Sequence, residues 1–156
     1  MGQKLRVART FDIDVINAVL KHPKVKDCIG DDFSGDVEYP IVDNIYYLAV
    51  YDRELAGMFV VYPLNAVTFD AHSAMLPGKY GNKAKEAGRL AIDWVFNHTG
   101  CLKINGSTPI YNKLALKYSE QIGFIREGVN KRSIMKDGQL HDQVYFGLER
   151  EKWVLS

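Results

Sequence analysis

Residues Asn65 to Thr99 read NAVTFDAHSAMLPGKYGNKAKEAGRLAIDWVFNHT, and this stretch decides the fold. Between Ala66 and Leu76 the pattern alternates, with Val67, Phe69, Ala71 and Met75 on one face and Thr68, Asp70 and His72 on the other. That alternation predicts a strand, which Pro77-Gly78 stops. From Asn82 onward Ala84, Ala87, Leu90, Ala91, Trp94 and Val95 recur at helical spacing, opposite a polar stripe of Lys85, Arg89, Asp93 and Asn97. Gly100 is the expected C-cap, and Cys101 to Asn105 the next, short and buried strand. Strand, helix, strand in succession predicts a βαβ unit with parallel strands and a right-handed crossover. Its turn aims a helix N-terminus and free backbone amides at the end of a strand, a junction that favours phosphate. Gly81 lets the backbone approach an anion closely, and Lys79 and Lys83 add positive charge. The turn has neither the spacing of a Walker P-loop nor a dinucleotide G-x-G-x-x-G, and taken alone it also suits an ordinary solvated connection.

Outward from this core the same reading gives the remaining elements. Leu5 to Ala8 is a short strand, and Thr10 or Asp12 caps a helix carrying Ile13, Ile16, Val19 and Leu20. His22-Pro23 ends that helix, and Asp27 to Glu38 follows as an irregular acidic segment with Asp31, Asp32, Asp36 and Glu38. Ile45 to Tyr51 and Leu55 to Tyr62 form an antiparallel hairpin across Asp52-Arg53-Glu54. Asn112 to Gln121 is a second amphipathic helix closed by Gly123. Phe124 to Met135 and Gln143 to Leu148 are strands flanking the hairpin turn Asp137-Gly138. The expected architecture is one α+β domain over residues 1–156. Its sheet is mixed but mostly antiparallel, with helices on both faces and a central parallel βαβ unit.

Bulk properties narrow the classes of function. The 156 residues are 47% hydrophobic and 25% charged, as in globular chains and unlike disordered ones. A net charge of +1 gives no global argument for nucleic acid as a partner. No apolar run approaches the length of a membrane span, and the N-terminal MGQKLRVART is followed by no apolar signal segment. Cys28 and Cys101 read as small buried residues in a reducing compartment, so a cytoplasmic location is expected. His22, His98 and His141 show no ligand spacing with one another or with the cysteines, and no metal is expected.

The turn-helix LPGKYGNKAKEA and the later run Asn112-x-x-Ala115-x₇-Gly123-Phe124-x-x-Glu127-Gly128 resemble the GNAT superfamily of acetyl-CoA-dependent N-acetyltransferases. The resemblance spans roughly residues 5–150. It is to the ribosomal-protein-acetyltransferase-like branch in particular, and to small GNAT proteins of bacteria and bacteriophages. It implies acetyl-CoA as co-substrate and direct attack on the thioester by a primary amine, from a protein N-terminus, a lysine or a small metabolite. It also implies a possible homodimer, and that the parallel strands ending at Leu76 and Asn105 splay apart to leave a slot for the pantetheine arm. A non-catalytic CoA-binding or phage accessory protein on the same fold is the alternative.

The resemblance also assigns roles. The family's pyrophosphate motif, Gln/Arg-x-x-Gly-x-Gly/Ala, falls on Tyr80, Gly81, Asn82, Lys83, Ala84 and Lys85, and departs from the pattern at Tyr80, Lys83 and Lys85. The donor to the thioester carbonyl is implied to be the amide of Met75 or Leu76, aimed by a bulge. His72 stands where it could accept the amine proton, while a structural bond to Asp70 or to backbone is the other reading. The family's acid is a tyrosine four residues before Gly-Phe; that position is Ser119 here, with Tyr118 about 100° round the helix. Asn112 caps its helix or contacts the pantetheine arm or the acceptor. The acidic segment ending at Glu38 would attract a cationic amine.

Overall fold

A computed structural model describes residues 5–29, 31 and 37–155. Seven strands form one sheet: β1 (Arg6–Arg9), β2 (Tyr46–Asp52), β3 (Glu54–Pro63), β4 (Thr68–Met75), β5 (Lys103–Pro109), β6 (Ile125–Lys136) and β7 (Gln139–Glu149), in the order β1-β2-β3-β4-β5-β7-β6. The helices are α1 (Ile13–Leu20), α2 (Pro23–Ile29), α3 (Asn82–His98), α4 (Lys113–Gln121) and α5 (Arg150–Leu155). Every neighbouring pair of strands is antiparallel except β4 and β5, which flank α3 in the expected βαβ unit.

Local chemistry explains most of these boundaries. Asp12 caps α1 by accepting the Asp14 N–H at 2.9 Å. His22 leaves the helix as its proline demands, yet Pro23 then opens α2, which runs to Ile29 and so into the segment from Asp27 that was expected to be irregular. A missing N–H costs nothing at a first helical position. Asp32 and Asp36 of the acidic stretch lie outside the described residues. The β6–β7 hairpin turns on Asp137 and Gly138, both at positive φ (52° and 74°), which matches the right-handed twist of its strands.

The sheet buries both faces. On one, Leu48, Phe59, Val61, Phe69, Ile104 and Leu148 pack against Ala87, Ala91, Ile92, Val95 and Phe96 of α3. On the other, Tyr47, Ala49, Met58 and Ala74 meet Ile16, Val19 and Leu20 of α1 and Val25 of α2. Each fully buried aliphatic side chain contributes roughly 2 kcal/mol from leaving water. The buried stripe of α3 is rotated from the expected one, because Gly88, Ile92 and Phe96 are inside while Leu90 and Trp94 are half-buried.

Two expectations are corrected and one element is added. Thr99, not Gly100, ends α3, since its N–H and its hydroxyl both donate to the Val95 carbonyl, at 3.1 and 2.7 Å. β5 continues past Asn105 to Pro109 because β7 pairs with it through Pro109↔Gln143, although Gly106, Ser107 and Pro109 carry no strand-like apolar pattern. The C-terminal α5 was unread; its Trp153 anchors it by donating the indole N–H to Asp93 at 2.7 Å.

Candidate active site

The parallel strands β4 and β5 pair only through Thr68↔Lys103, Phe69↔Ile104 and Asp70↔Asn105, and then separate although both run on. A cavity of about 490 Å³ occupies the fork. Gly88, Ala91 and Ile92 of α3 line it on one side of the sheet, and Tyr39, Tyr47 and Tyr62 on the other, so it passes through the sheet. The expected splay is present, but on β4 it begins already after Asp70, well before the strand end expected at Leu76, and β5 runs on past Asn105. The splay leaves backbone polar groups of both strands without ladder partners across the fork, available to an added strand-like chain.

The register decides which amides face the slot. Leu76 donates its N–H to the Ala56 carbonyl at 2.8 Å, and Leu64 donates to the Thr68 carbonyl at 2.8 Å. Even-numbered residues of β4 therefore bond to β3, and the N–H groups of Ser73 and Met75 point toward β5. Of the two expected thioester donors, Met75 has its amide aimed at the slot and Leu76 does not. No bulge does the aiming, because the β3–β4 register is unbroken to Met75. Ordinary strand alternation suffices. Gly57 sits opposite Met75, where a Cβ would lie 2.7 Å from the Ala74 carbonyl oxygen.

Beyond Met75 the turn delivers the N-terminus of α3. Gly81 is its N-cap at φ 82° and ψ −137°, a conformation that favours glycine, and no side chain caps the first amides. The amides of Asn82, Lys83 and Ala84 therefore start the helix without a side-chain acceptor. The two turn lysines are not free charges. Lys83 Nζ lies 2.6 Å from Asp52 Oδ2, and Lys79 lies 3.7 Å from Asp52 and 3.3 Å from Glu54 Oε1. These contacts hold the Asp52 carboxyl below its ordinary range, chiefly through the hydrogen bond from Lys83. The Lys83 side chain, at a position where the family usually has none, is thus turned toward the β2–β3 hairpin. Tyr80 is exposed, and Lys85 is half-buried.

On the opposite face of β4, His72 Nε2 lies 3.0 Å from Asp70 Oδ2 and 3.3 Å from the Tyr62 hydroxyl, which itself donates to Asp70 Oδ2 at 2.9 Å. The rings of Tyr62 and His72 stack with centroids 5.9 Å apart. Burial and then the Asp70 carboxylate push the Tyr62 phenol up to about 12, so it stays protonated and donating. The structural bond weighed for His72 is present, and His72 also lines the cavity with its side chain 49% exposed.

From α4, Asn112 caps the helix by accepting the Ala115 N–H at 3.2 Å and lines the cavity. Ser119 lines it as well. Tyr118 lines it too, but its hydroxyl is engaged: it donates to the Ala84 carbonyl at 2.9 Å and rests on Gly88, where no Cβ would fit. Burial raises its ionisation well above the usual tyrosine range. Tyr118 thereby docks α4 on the first turn of α3, and its proton is committed to a carbonyl. Cys101 is buried and donates its thiol to the Lys103 carbonyl at 3.2 Å, while burial raises its ionisation, which disarms it as a nucleophile. No cluster of three or more His, Cys, Asp or Glu suited to a metal occurs among the described residues, and no helix there is long and apolar enough to cross a membrane.

Sequence reasoning missed the partners more than the sites. Tyr62 is opposite Asp70 in the hairpin register, and that register could have been counted from the Pro63-Leu64-Asn65 turn. Asp52 as the holder of the turn lysines had no local signal, because the contact spans 31 residues.

No protein-family model matches the chain. Two curated relatives from Bacillus subtilis (strain 168) are each 25% identical. The SPbeta prophage-derived uncharacterized N-acetyltransferase YokL matches over 118 residues, 73% of this chain and 67% of its own length. YdaF, whose name provisionally assigns it to ribosomal N-acetylation, matches over 119 residues, 74% of this chain and 65% of its own. The chain thus matches about two thirds of the length of these relatives. Among solved structures, a Vibrio cholerae spermidine N-acetyltransferase SpeG chimera with hSSAT superposes with TM-score 0.80 at 16% identity, covering 99% of this chain and 100% of that one. SpeG from V. cholerae in complex with CoA and spermine gives TM-score 0.77 at 16% identity, with 97% of each chain covered. A GNAT-family acetyltransferase from Bacillus anthracis gives 0.72 at 19% identity, over 97% and 98%.

Proposed function

We propose that this chain, a member of the GNAT superfamily by its fold and its relatives, is an acetyl-CoA-dependent N-acetyltransferase that acts on a primary amine. The observation that carries the reading is the fork between β4 and β5, lined by Gly88 of α3, together with the glycine cap that leaves the first amides of that same helix without a side-chain acceptor. An extended pantetheine arm would lie in the fork as an added strand, and its diphosphate would meet the amides of Asn82 to Ala84. The departures at Tyr80, Lys83 and Lys85 leave this cradle intact, because it is made of backbone. That removes the main reason for preferring a non-catalytic CoA-binding or phage accessory role.

The chemistry follows from the two faces of the slot. The amine enters from the α1–α2 face, past Glu38, Tyr39, Tyr47 and Tyr62, whose carboxylate and ring faces suit a cation. Its neutral nitrogen attacks the acetyl carbonyl, forming the C–N bond while the oxyanion takes a hydrogen bond from the Met75 N–H. His72 accepts the proton lost from nitrogen, the C–S bond breaks, and the departing thiolate takes a proton from water, directly or through the Ser119 hydroxyl acting as a relay that regains a proton as it gives its own. Small polyamines and N-terminal peptides are the acceptors to test first; one structural neighbour was solved with spermine.

The experiment has two arms. Acetyl-CoA should raise the melting temperature in a concentration-dependent way, since it binds only the folded chain. Release of free thiol should then be followed against a panel of amines. An unchanged melting curve at millimolar acetyl-CoA would overturn the cofactor assignment. Stabilisation without acetylation of any amine would move the reading to a CoA-binding protein.

A further inference from the structure

Three polar atoms close a triangle on the acceptor side of the slot. Tyr62 Oη, Asp70 Oδ2 and His72 Nε2 are separated by 2.9, 3.0 and 3.3 Å. Only certain proton placements satisfy it. An ionised carboxylate accepts and cannot donate, and the phenol has a single hydrogen. That hydrogen lies on the shortest edge, toward Asp70, and the phenol keeps it because burial holds its ionisation near 12. The His72 Nε2 must then bring its own hydrogen to the second lone pair of Asp70 Oδ2, or two acceptors would face each other at 3.0 Å. Among the described residues Nδ1 has no hydrogen-bond partner, and Asp70 supplies the one carboxylate within bonding distance of the ring. The other ionisable groups on this wall of the cavity are Glu38, Tyr39 and Tyr47. Tyr47 is turned away, because its hydroxyl donates to the Pro40 carbonyl at 2.9 Å.

We propose that Asp70 and Tyr62 are positioning residues that lock His72 in the Nε2–H tautomer, so that Nδ1 is the nitrogen that takes the acceptor's proton. This rests on the acetyltransferase reading for the identity of the proton, but not for the tautomer. The device spans two strands: Asp70 and His72 share a face of β4 at a spacing of two, and Tyr62 is cross-strand from Asp70 on β3. The stacked Tyr62 ring fixes the plane of the imidazole, and the carboxylate fixes which edge is protonated. The Nδ1 lone pair is then held in one direction through the proton transfer, and an amine bound along that direction needs no ring flip before it reacts.

The tautomer is read directly from the imidazole nitrogen shifts of ¹⁵N-labelled protein, without any acceptor, at a pH where the ring is neutral. His72 should show a protonated Nε2 and a bare Nδ1. Asp70→Asn, which can offer either an oxygen or an amide hydrogen to the ring, should give a mixture of tautomers. Tyr62→Phe, which keeps the stacked ring, should preserve Nε2–H and guards against a folding artefact in the first variant. With an amine substrate, Asp70→Asn should lower kcat by about tenfold or more while the KM for acetyl-CoA stays the same. A protonated Nδ1 in the wild-type protein, or an unchanged tautomer in Asp70→Asn, would overturn the lock even if the enzyme is active. A locked ring with undiminished kcat in Asp70→Asn would overturn the proton-transfer role. A locked ring in a protein that acetylates nothing would overturn that role together with the function proposed above.

Discussion

Leu76 donates its backbone N–H to the Ala56 carbonyl at 2.8 Å, and this one bond sets the parity of every amide in β4. With Leu76 facing β3, Met75 and Ser73 must face the fork, where β5 has already turned away. Of the two candidate oxyanion donors, the one whose amide faces the fork is thus fixed by counting, without a bulge. Hydrogen exchange should reveal the count in the free protein. The amides of His72 and Ala74, bonded to β3, should exchange slowly, and those of Ser73 and Met75 should exchange much faster. Acetyl-CoA should slow the second pair selectively. Uniform protection along β4 without ligand would mean that the slot is closed in solution.

Gly81 makes the second prediction. At φ 82° the position strains any side chain by roughly 1–3 kcal/mol, although a Cβ there would meet no atom within 4 Å. The damage from Gly81→Val is therefore to the helix start, and the loss of the aligned amides should abolish the melting shift with acetyl-CoA. Gly81→Ala should lose most of it as well, since the strain lies in the backbone and not in the bulk. A full shift in both variants would place the diphosphate elsewhere.

The ion pair of Lys83 with Asp52 gives a pH-dependent prediction. Asp52 is held below its ordinary value of 3.8 in the folded chain, first by the hydrogen bond from Lys83 and further by the charges of Lys83 and Lys79. A depressed carboxyl contributes stability above its unfolded value and loses it as pH falls through the folded one. Asp52→Asn should therefore melt below the wild type near neutral pH. The gap should close as pH falls from about 4 downward. A gap that persists unchanged in acid would show that packing, and not charge, ties the hairpin to the turn.

The βαβ unit was legible because its signals are local: a strand period of two, a helical period near four, and a Pro-Gly stop between them. The geometry of the candidate site was legible where backbone makes it, as at the N-cap Gly81 and the fork-facing amide of Met75, and Ser119, a position the resemblance names, lines the cavity. It was not legible where two distant side chains meet. Nothing near Lys83 announces Asp52, and nothing near Tyr118 announces that Gly88 leaves a gap for its hydroxyl. Leu76 looked equivalent to Met75 because parity is a property of the pair of strands, which a single strand's residues do not encode. α5 went unread because six residues of mixed charge carry too short a pattern to distinguish from a tail.

Tyr118 and Ser119 are candidates for the same role, and the structure separates them by the bond that the Tyr118 hydroxyl already makes. The Tyr118 proton is bonded to the Ala84 carbonyl, and burial raises its ionisation, so releasing that proton to a thiolate would leave a buried phenolate against α3. A thiol ionises near 8.5 in water, so its thiolate is too weak a base to draw a proton from such a group. Tyr118→Phe should then behave as the loss of one buried hydrogen bond. The expected cost is about 1 kcal/mol of stability, with kcat changed less than about threefold. Ser119→Ala should leave stability nearly unchanged. If the serine relays a proton, it should lower kcat by about tenfold with the affinity for acetyl-CoA intact. Melting curves and steady-state rates on the two variants decide between them. A large kcat loss in Tyr118→Phe with little loss of stability would reverse the assignment, because a hydroxyl that only docks two helices cannot be felt in turnover without being felt first in the fold.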